Sequence, residues 1–252
     1  MGLGGTGGGV LGAGGGEGGA PGLSRPQMNQ SLTEIICILD RSGSMKHVRE
    51  EAISGINEFL EDQRAVPGNA ILTMVRFDTE YEVIHNGTPI HQVPMLDETT
   101  YRPRGMTALY DAIGRTIDDV GHRLSKTPEN DRPAHVIVAI LTDGYENASS
   151  DYDAHRVREM IHHQQLKYDW DFIYLGANQN AFAESGKIGI RAENTRQWES
   201  TSQGTTDMMQ EMSLTVRAMR NTAMPSSPTK PGRKPRHPRE SKGRLNRQAN
   251  RD

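Results

Sequence analysis

The sequence is short of cysteine, of long apolar runs and of catalytic motifs, and each shortage excludes a class of protein. Its one cysteine, Cys37, lies in an apolar segment, so a disulfide framework is excluded and a reducing, cytoplasmic setting is favoured. No run approaches the roughly 18 apolar residues that a membrane-spanning helix needs. The N-terminus also lacks the basic and apolar regions of a secretory signal. We therefore expect a cytoplasmic protein without membrane contact.

The sequence lacks the motifs of three kinds of enzyme. There is no nucleophile elbow of the Gly-x-Ser-x-Gly type. Glycines followed by Lys and Ser or Thr, which would cradle a phosphate, are absent too. The adjacent His162 and His163 have neither a His-Glu-x-x-His pattern nor a cysteine pair beside them. We therefore predict no enzymatic activity, no catalytic residue and no organic cofactor.

Composition divides the chain into a body and two tails. Residues 1–27 carry thirteen glycines and little apolar bulk, which predicts a disordered leader; a true start at Met28 is the alternative explanation. Residues 225–252 carry nine Lys or Arg against two acidic residues, a net charge of +7, whereas residues 28–224 carry 19 basic and 29 acidic residues, a net charge of −10. We therefore predict one domain over 28–222, followed by a disordered, basic, proline-rich tail over 223–252.

Between the tails, apolar runs typical of buried strands alternate with segments of helical spacing. The predicted strands are 33–39, 70–77, 81–85, 135–142 and 171–177, with a marginal strand at 189–192. The predicted helices are 46–64, 107–124, 153–167, 180–187 and 205–221. This alternation predicts an α/β fold with a doubly wound, mostly parallel sheet and helices on both faces. In the last helix, Met208, Met212, Val216 and Met219 share one face, which we expect to pack on the sheet.

Oxygen-bearing side chains follow two of these strands and precede one helix. Asp40 ends the first strand and is followed by Ser42 and Ser44; Thr107 comes just before a helical pattern; Asp143 ends a later strand. Ligands of such sheets bind outside the carboxyl ends of the strands. Two carboxylates and three hydroxyls suit a hard divalent cation, because Mg²⁺ prefers oxygen ligands and keeps several waters. The sequence therefore predicts a Mg²⁺ site, with Mn²⁺ as the alternative ion.

The same residues resemble a known family. Asp-Arg-Ser-Gly-Ser at 40–44, Thr107 in Gly-Met-Thr-Ala-Leu and Asp143 in Leu-Thr-Asp-Gly are similar to the metal ion-dependent adhesion site of the von Willebrand factor type A domain. The resemblance covers roughly 32–220 and is strongest to small stand-alone bacterial and phage members. It implies that Ser42, Ser44 and Thr107 touch the metal, while Asp40 and Asp143 act mostly through water. This sequence has Met106 where the family often has a second glycine.

What the resemblance implies about function is a metal-dependent protein-interaction module. In such a module an Asp or Glu of a protein partner completes the coordination of the bound cation. The alternative that the sequence leaves open is a nucleic-acid-associated protein. Its basic tail, through Lys and Arg side chains, would then neutralise phosphates in a weak contact.

Overall fold

The computed structural model describes residues 28–177 and 180–223, which form one six-stranded sheet. The predicted leader (1–27) and all but the first residue of the predicted tail lie outside the described residues. The strands are β1 (Asn29–Asp40), β2 (Asn69–Phe77), β3 (Tyr81–Pro89), β4 (Pro133–Thr142), β5 (Asp171–Ala177) and β6 (Thr195–Trp198). Their order across the sheet is β3-β2-β1-β4-β5-β6, and all neighbours are parallel except β2 and β3. The mostly parallel sheet predicted from the sequence is confirmed.

Helices cover both faces of the sheet. They are α1 (Arg49–Ala65), α2 (Leu109–Lys126), α3 (Ala154–Tyr168), α4 (Ala181–Lys187) and α5 (Ser202–Ala223). The helices α1 and α5 contribute to the apolar core on one face, and α2, α3 and α4 contribute to the core on the other. Within the described ranges, no helix has both the length and the apolar character to cross a membrane.

The central strand β1 shows why its sequence is apolar throughout. Its side chains alternate between the two cores: Ile35, Cys37 and Leu39 face α1 and α5, whereas Ile36 and Ile38 face α2 and α3. All five are at most 1% exposed. A strand buried on both faces has no polar side, which is why β1 reads as a continuous apolar run.

The methionine-rich face of α5 packs inward. Met208, Met212 and Val216 are buried in the core that α5 shares with α1, and Met219 packs against it. The expectation that this face covers the sheet is confirmed for these residues.

The marginal strand predicted at 189–192 is wrong. Gly189 has a positive φ of 81°, and the amide of Ile190 donates to the carbonyl oxygen of Ser185, so this segment wraps the end of α4. Its one isoleucine, Ile190, is buried as part of that wrapping and does not pair with a neighbouring strand. The edge strand is β6 instead, in which Thr195 pairs with Tyr174 of β5.

Candidate metal centre

The carboxyl ends of β1 and β4 lie side by side in the middle of the sheet. These strands are neighbours, with Leu39 opposite Leu141, and the chain continues from β1 to β2 on one side but from β4 to β5 on the other. This is the point where the strand order reverses, and open α/β sheets bind ligands there. Asp40 is the last residue of β1, and Asp143 directly follows β4.

Asp40 is fully buried and held by its neighbours. Its Oδ1 accepts from the amide of Ser42 at 2.6 Å, and its Oδ2 accepts from the hydroxyl of Thr142 at 2.7 Å. The hydroxyl of Tyr101 donates to its backbone carbonyl. Burial raises the pKa of Asp40 to about 6, although the hydrogen bonds from Thr142 and Ser42 oppose the shift. An ionised Asp40 therefore lies where positive charge is favoured.

A chain of short contacts joins the two serines to the second carboxyl group. The hydroxyl oxygens of Ser42 and Ser44 are 3.0 Å apart, and the Ser44 hydroxyl donates to Oδ1 of Asp143 at 2.5 Å. Asp143 is 6% exposed, and burial raises its pKa while the Ser44 hydrogen bond lowers it. The charge of Asp143 in turn contributes to the raised pKa of Asp40.

Thr107 joins this group from a separate loop. A Cβ atom built on Gly144 would lie 3.0 Å from the Thr107 hydroxyl oxygen and 3.8 Å from that of Ser44, so both hydroxyls border the same space and a side chain at 144 would fill it. The amide of Thr107 donates to Oδ1 of Asn147, and its carbonyl oxygen accepts from the Asn147 amide. Asn147 thereby fixes the Thr107 backbone beside the loop that follows β4.

The donor set fits a hard cation. All five side chains predicted from the sequence come together, and they offer only carboxylate and hydroxyl oxygens. Among the described residues, no three His, Cys, Asp or Glu side chains cluster as metal ligands, so a softer site of that kind is absent there. Hydroxyl and carboxylate oxygens are the donors that Mg²⁺ and Mn²⁺ prefer. Two buried carboxyl groups with raised pKa values add the need for a compensating charge.

Two further residues at the site were not found by sequence reasoning. Ser200, at the start of the loop into α5, donates from its hydroxyl to Oδ2 of Asp143 at 3.4 Å. His47 lies 2.6 Å through Nδ1 from the carbonyl oxygen of Ser44 and 2.7 Å through Nε2 from that of Ser200. The segment before α5 is therefore tied to the loops of the candidate site. No local pattern marks Ser200, since it lies 57 residues from Asp143.

An ion-pair network, also missed, holds the Thr107 loop against the Asp40 loop. Asp78 is fully buried, and its Oδ2 lies 2.8 Å from Nε of Arg41 and 3.1 Å from Nε of Arg104. Two backbone hydrogen bonds connect the same loops. The amide of Arg104 donates to the carbonyl oxygen of Arg41, and the amide of Ala108 donates to the carbonyl oxygen of Asp78. Asp78 therefore lies at the junction of three loops that meet at the site.

Glycine is required in two of these loops. Gly105 has a φ of +67°, a conformation that favours glycine. The amide of Gly43 donates to the carbonyl oxygen of Gly105, and a Cβ atom on Gly43 would lie 3.3 Å from that oxygen. Met106, at the position that departs from the family pattern, is 54% exposed at the rim.

Neither the protein-family models nor the curated proteins include a match to this chain. Among solved structures, proximal thread matrix protein 1 from the mussel byssus is similar at 13% identity, with a TM-score of 0.52 over 75% of this chain and 47% of that chain. A structure of the same mussel protein with a zinc-occupied MIDAS motif is similar at 14% identity, with a TM-score of 0.52 over 74% of this chain and 46% of that chain. A von Willebrand factor type A structure from Catenulispora acidiphila gives 17% identity and a TM-score of 0.45 over 74% of this chain and 42% of that chain.

The chain thus spans less than half the length of the mussel protein. Likenesses at such identities concern the fold. At that level, this chain shares the fold of the mussel protein, and the α/β fold with a mostly parallel sheet predicted from the sequence is confirmed.

Proposed function

We propose that this chain is a metal-dependent protein-interaction module of the von Willebrand factor A type. The observation that carries the proposal is the meeting of Asp40, Ser42, Ser44, Thr107 and Asp143 at the switch point of the sheet. Asp40 and Asp143 are both buried with raised pKa values, and the three hydroxyls are the donors around them. Such a group is stable as an ionised cluster only with a cation beside it.

The residues of the site would bind the cation in two ways, as the family resemblance implies. Ser42, Ser44 and Thr107 would bind the cation directly, while Asp40 and Asp143 orient waters and balance its charge. When bound, the cation would supply a Lewis-acidic position that accepts a carboxylate from a partner. The partner is therefore a protein that presents an Asp or Glu side chain. Mg²⁺ is the proposed ion and Mn²⁺ the alternative, since the donors are all oxygens.

We also propose that the module is not an enzyme. His47 and Ser200 lie side by side, with Nε2 of His47 3.1 Å from the Ser200 hydroxyl, as a general base and a nucleophile would. Ser200 is only 8% exposed, and both ring nitrogens of His47 contact backbone carbonyl oxygens. This arrangement supports a structural tie between loops. A substrate would have no access to the hydroxyl.

A capture experiment from cell extract tests the proposal. Tagged full-length protein is incubated with extract in Mg²⁺ or in EDTA, in parallel with the Asp40→Ala and Ser44→Ala variants. We expect partners that are recovered only in Mg²⁺ and are lost with both site variants, because the cation makes the contact. The Ser54→Ala variant, which changes an exposed serine on α1, is the control and should behave as wild type. Recovery of the same proteins with and without EDTA contradicts the proposal.

The second candidate is nucleic-acid binding through the tail, which is favoured by the net charge of +7 over residues 225–252. Such binding depends on phosphate neutralisation and would survive EDTA, but it would weaken steeply as salt is raised. Removal of residues 225–252 would abolish it. The two functions therefore respond oppositely to chelator and to tail truncation.

A further inference from the structure

A surface groove runs between α1 and α5, on the side of the molecule remote from α2 and α3. Its volume is about 600 Å³, and its walls include Glu58, Glu61 and Asp62 from α1 and Gln210 and Leu214 from α5. Leu214 is 63% exposed at this position. We call this feature the α1/α5 groove. It combines an uncovered apolar side chain with three carboxylates on one helix.

The charge of the α1/α5 groove is largely uncompensated. Within the described part of the chain, Glu58 and Asp62 make no ion pair, and Glu61 has only Arg64 at 3.5 Å. Among the described residues that line the groove there is no Lys or Arg. Some exposed carboxylates elsewhere are neutralised by a close cation, as Asp151 is by Arg115, whereas three carboxylates meet in this groove with one distant Arg between them. The groove is therefore a place where external positive charge is favoured.

We propose that the occupant of the α1/α5 groove is the basic tail of this same chain, residues 225–252. The tail has a net charge of +7, while residues 28–224 have a net charge of −10. Its Lys and Arg side chains complement the three carboxylates, and their aliphatic stems cover Leu214. This interaction is independent of the proposed metal site.

The place where the tail begins supports the assignment. The helices α1 and α5 are parallel neighbours, since Gly55 faces Met209 and Gln63 contacts both Ser213 and Arg220. At about 1.5 Å per residue, the nine residues from Leu214 to the end of α5 span roughly 14 Å. About four or five extended residues cover that distance on the way back. Residues 224–228 are therefore enough to span the distance from the end of α5 back to Leu214, so that the segment 230–239 can reach the groove.

A tether also makes a weak contact effective. A segment joined by a short linker meets its site at an effective concentration on the order of millimolar. The contact between opposite charges at the surface is screened by salt, with a Debye length of about 10 Å at 0.1 M and about 3 Å at 1 M. We therefore expect the tail to be bound at low salt and released at high salt.

Zero-length cross-linking of full-length protein tests the contact directly. A carbodiimide joins Lys amines to carboxylates in contact, and mixing ¹⁴N- and ¹⁵N-labelled protein separates links within a chain from links between chains. We expect links within one chain from Lys230, Lys234 or Lys242 to Glu58, Glu61 or Asp62, and their loss at 1 M NaCl. Links spread evenly over exposed carboxylates such as Glu129 and Asp131, or links mainly between chains, overturn the proposal.

A pair of charge-matched variants gives a second readout. One variant removes the groove charges (Glu58→Gln, Glu61→Gln, Asp62→Asn), and the control removes three exposed charges that do not line the groove (Glu129→Gln, Asp131→Asn, Glu159→Gln). Binding of a 20-nucleotide oligo-dT probe to each full-length protein is measured by fluorescence anisotropy at low salt. If the groove holds the tail, the groove variant binds at least about threefold more tightly than the control. Equal affinities of two variants with the same net charge contradict the proposal.

Discussion

Asp40 sets the electrostatic character of the site at the scale of single residues. It is a carboxyl group with no exposed surface, held by the Ser42 amide and the Thr142 hydroxyl and close to the charge of Asp143. Its pKa of about 6 means that the folded protein resists its ionisation. Without a cation, the site therefore opposes folding at neutral pH. That is expected of a ligand cluster and not of a group kept for stability.

The first prediction concerns Asp40→Asn in EDTA. A shift from 3.8 to about 6 corresponds to about 3 kcal/mol at 1.36 kcal/mol per unit, so we expect the variant to be about 1–3 kcal/mol more stable than wild type at pH 8. Because the folded wild type binds the Asp40 proton more tightly than the unfolded chain does, its stability falls as pH rises from about 4 to about 6. The advantage of the variant should therefore vanish near pH 4. Urea unfolding at both pH values checks this, and a less stable variant at pH 8 contradicts it.

The second prediction concerns the buried ion pair of Arg41 and Asp78. Asp78→Asn leaves the Arg41 guanidinium buried without its nearest carboxylate, so we expect a loss of about 3 kcal/mol in the free energy of unfolding. The matched control is Glu82→Gln, which removes a half-exposed partner 3.0 Å from the same guanidinium and should cost less than about 1 kcal/mol. Urea unfolding in EDTA measures both. Similar losses in the two variants contradict the role assigned to Asp78.

At the scale of elements, the contact between α1 and α5 depends on a glycine. A Cβ atom on Gly55 would lie 2.4 Å from Cγ and 2.7 Å from Cβ of Met209, so the helices approach more closely than an alanine allows. These atoms are near the backbone of Met209, and a rotation of the side chain end cannot relieve the clash. The packing of α5 on the sheet is thereby fixed at the middle of α1.

The third prediction follows from this contact. Gly55→Ala should lower the free energy of unfolding by about 1–3 kcal/mol through overpacking, even though alanine is the better helix former. The control is Gly121→Ala in α2, where a Cβ atom meets nothing within 4 Å, and it should raise stability by about 0.5–1 kcal/mol. Thermal and urea unfolding of both variants check the signs. Equal effects in the two helices contradict the packing argument.

The strands and helices differ in how well they could be predicted from their own sequences. The strands β1, β4 and β5 are buried on both faces, so their apolar runs could be found directly. In contrast, β6 has the sequence Thr-Arg-Gln-Trp, and only Thr195 and Trp198 are buried. Its strand conformation comes from pairing with β5, which a local pattern does not contain. The apolar residues around 189 predicted a strand because the positive φ of Gly189 is not visible in periodicity.

The candidate site likewise contains some residues that local sequence patterns reveal and others that they do not. The five oxygen-bearing residues could be proposed from the sequence because each follows a strand or precedes a helix. Thr142, Ser200 and Asp78 could not be, since their contacts to the site come from the way distant segments meet. Asp78 lies in a tight turn between β2 and β3, where an Asp is expected for local reasons alone.

At the scale of the whole molecule, two separate parts of the chain favour positive charge of different kinds. The switch point of the sheet brings two buried carboxyl groups and three hydroxyls together, which favours a divalent cation. On the α1/α5 side, three carboxylates favour the Lys and Arg side chains of the tail. The first interaction depends on metal and the second on salt, so they can be measured separately in one protein.

Calorimetric titration of Mg²⁺ into metal-free, full-length protein tests the central claim most directly. We predict one binding event per chain for the wild type and for the Ser54→Ala control, and none for Ser44→Ala or Asp143→Ala, which remove a hydroxyl or a carboxyl group of the site. Mn²⁺ should bind in the same pattern. No binding of either ion to the wild type, or binding that all four proteins share, would contradict the assignment of these residues to a metal centre.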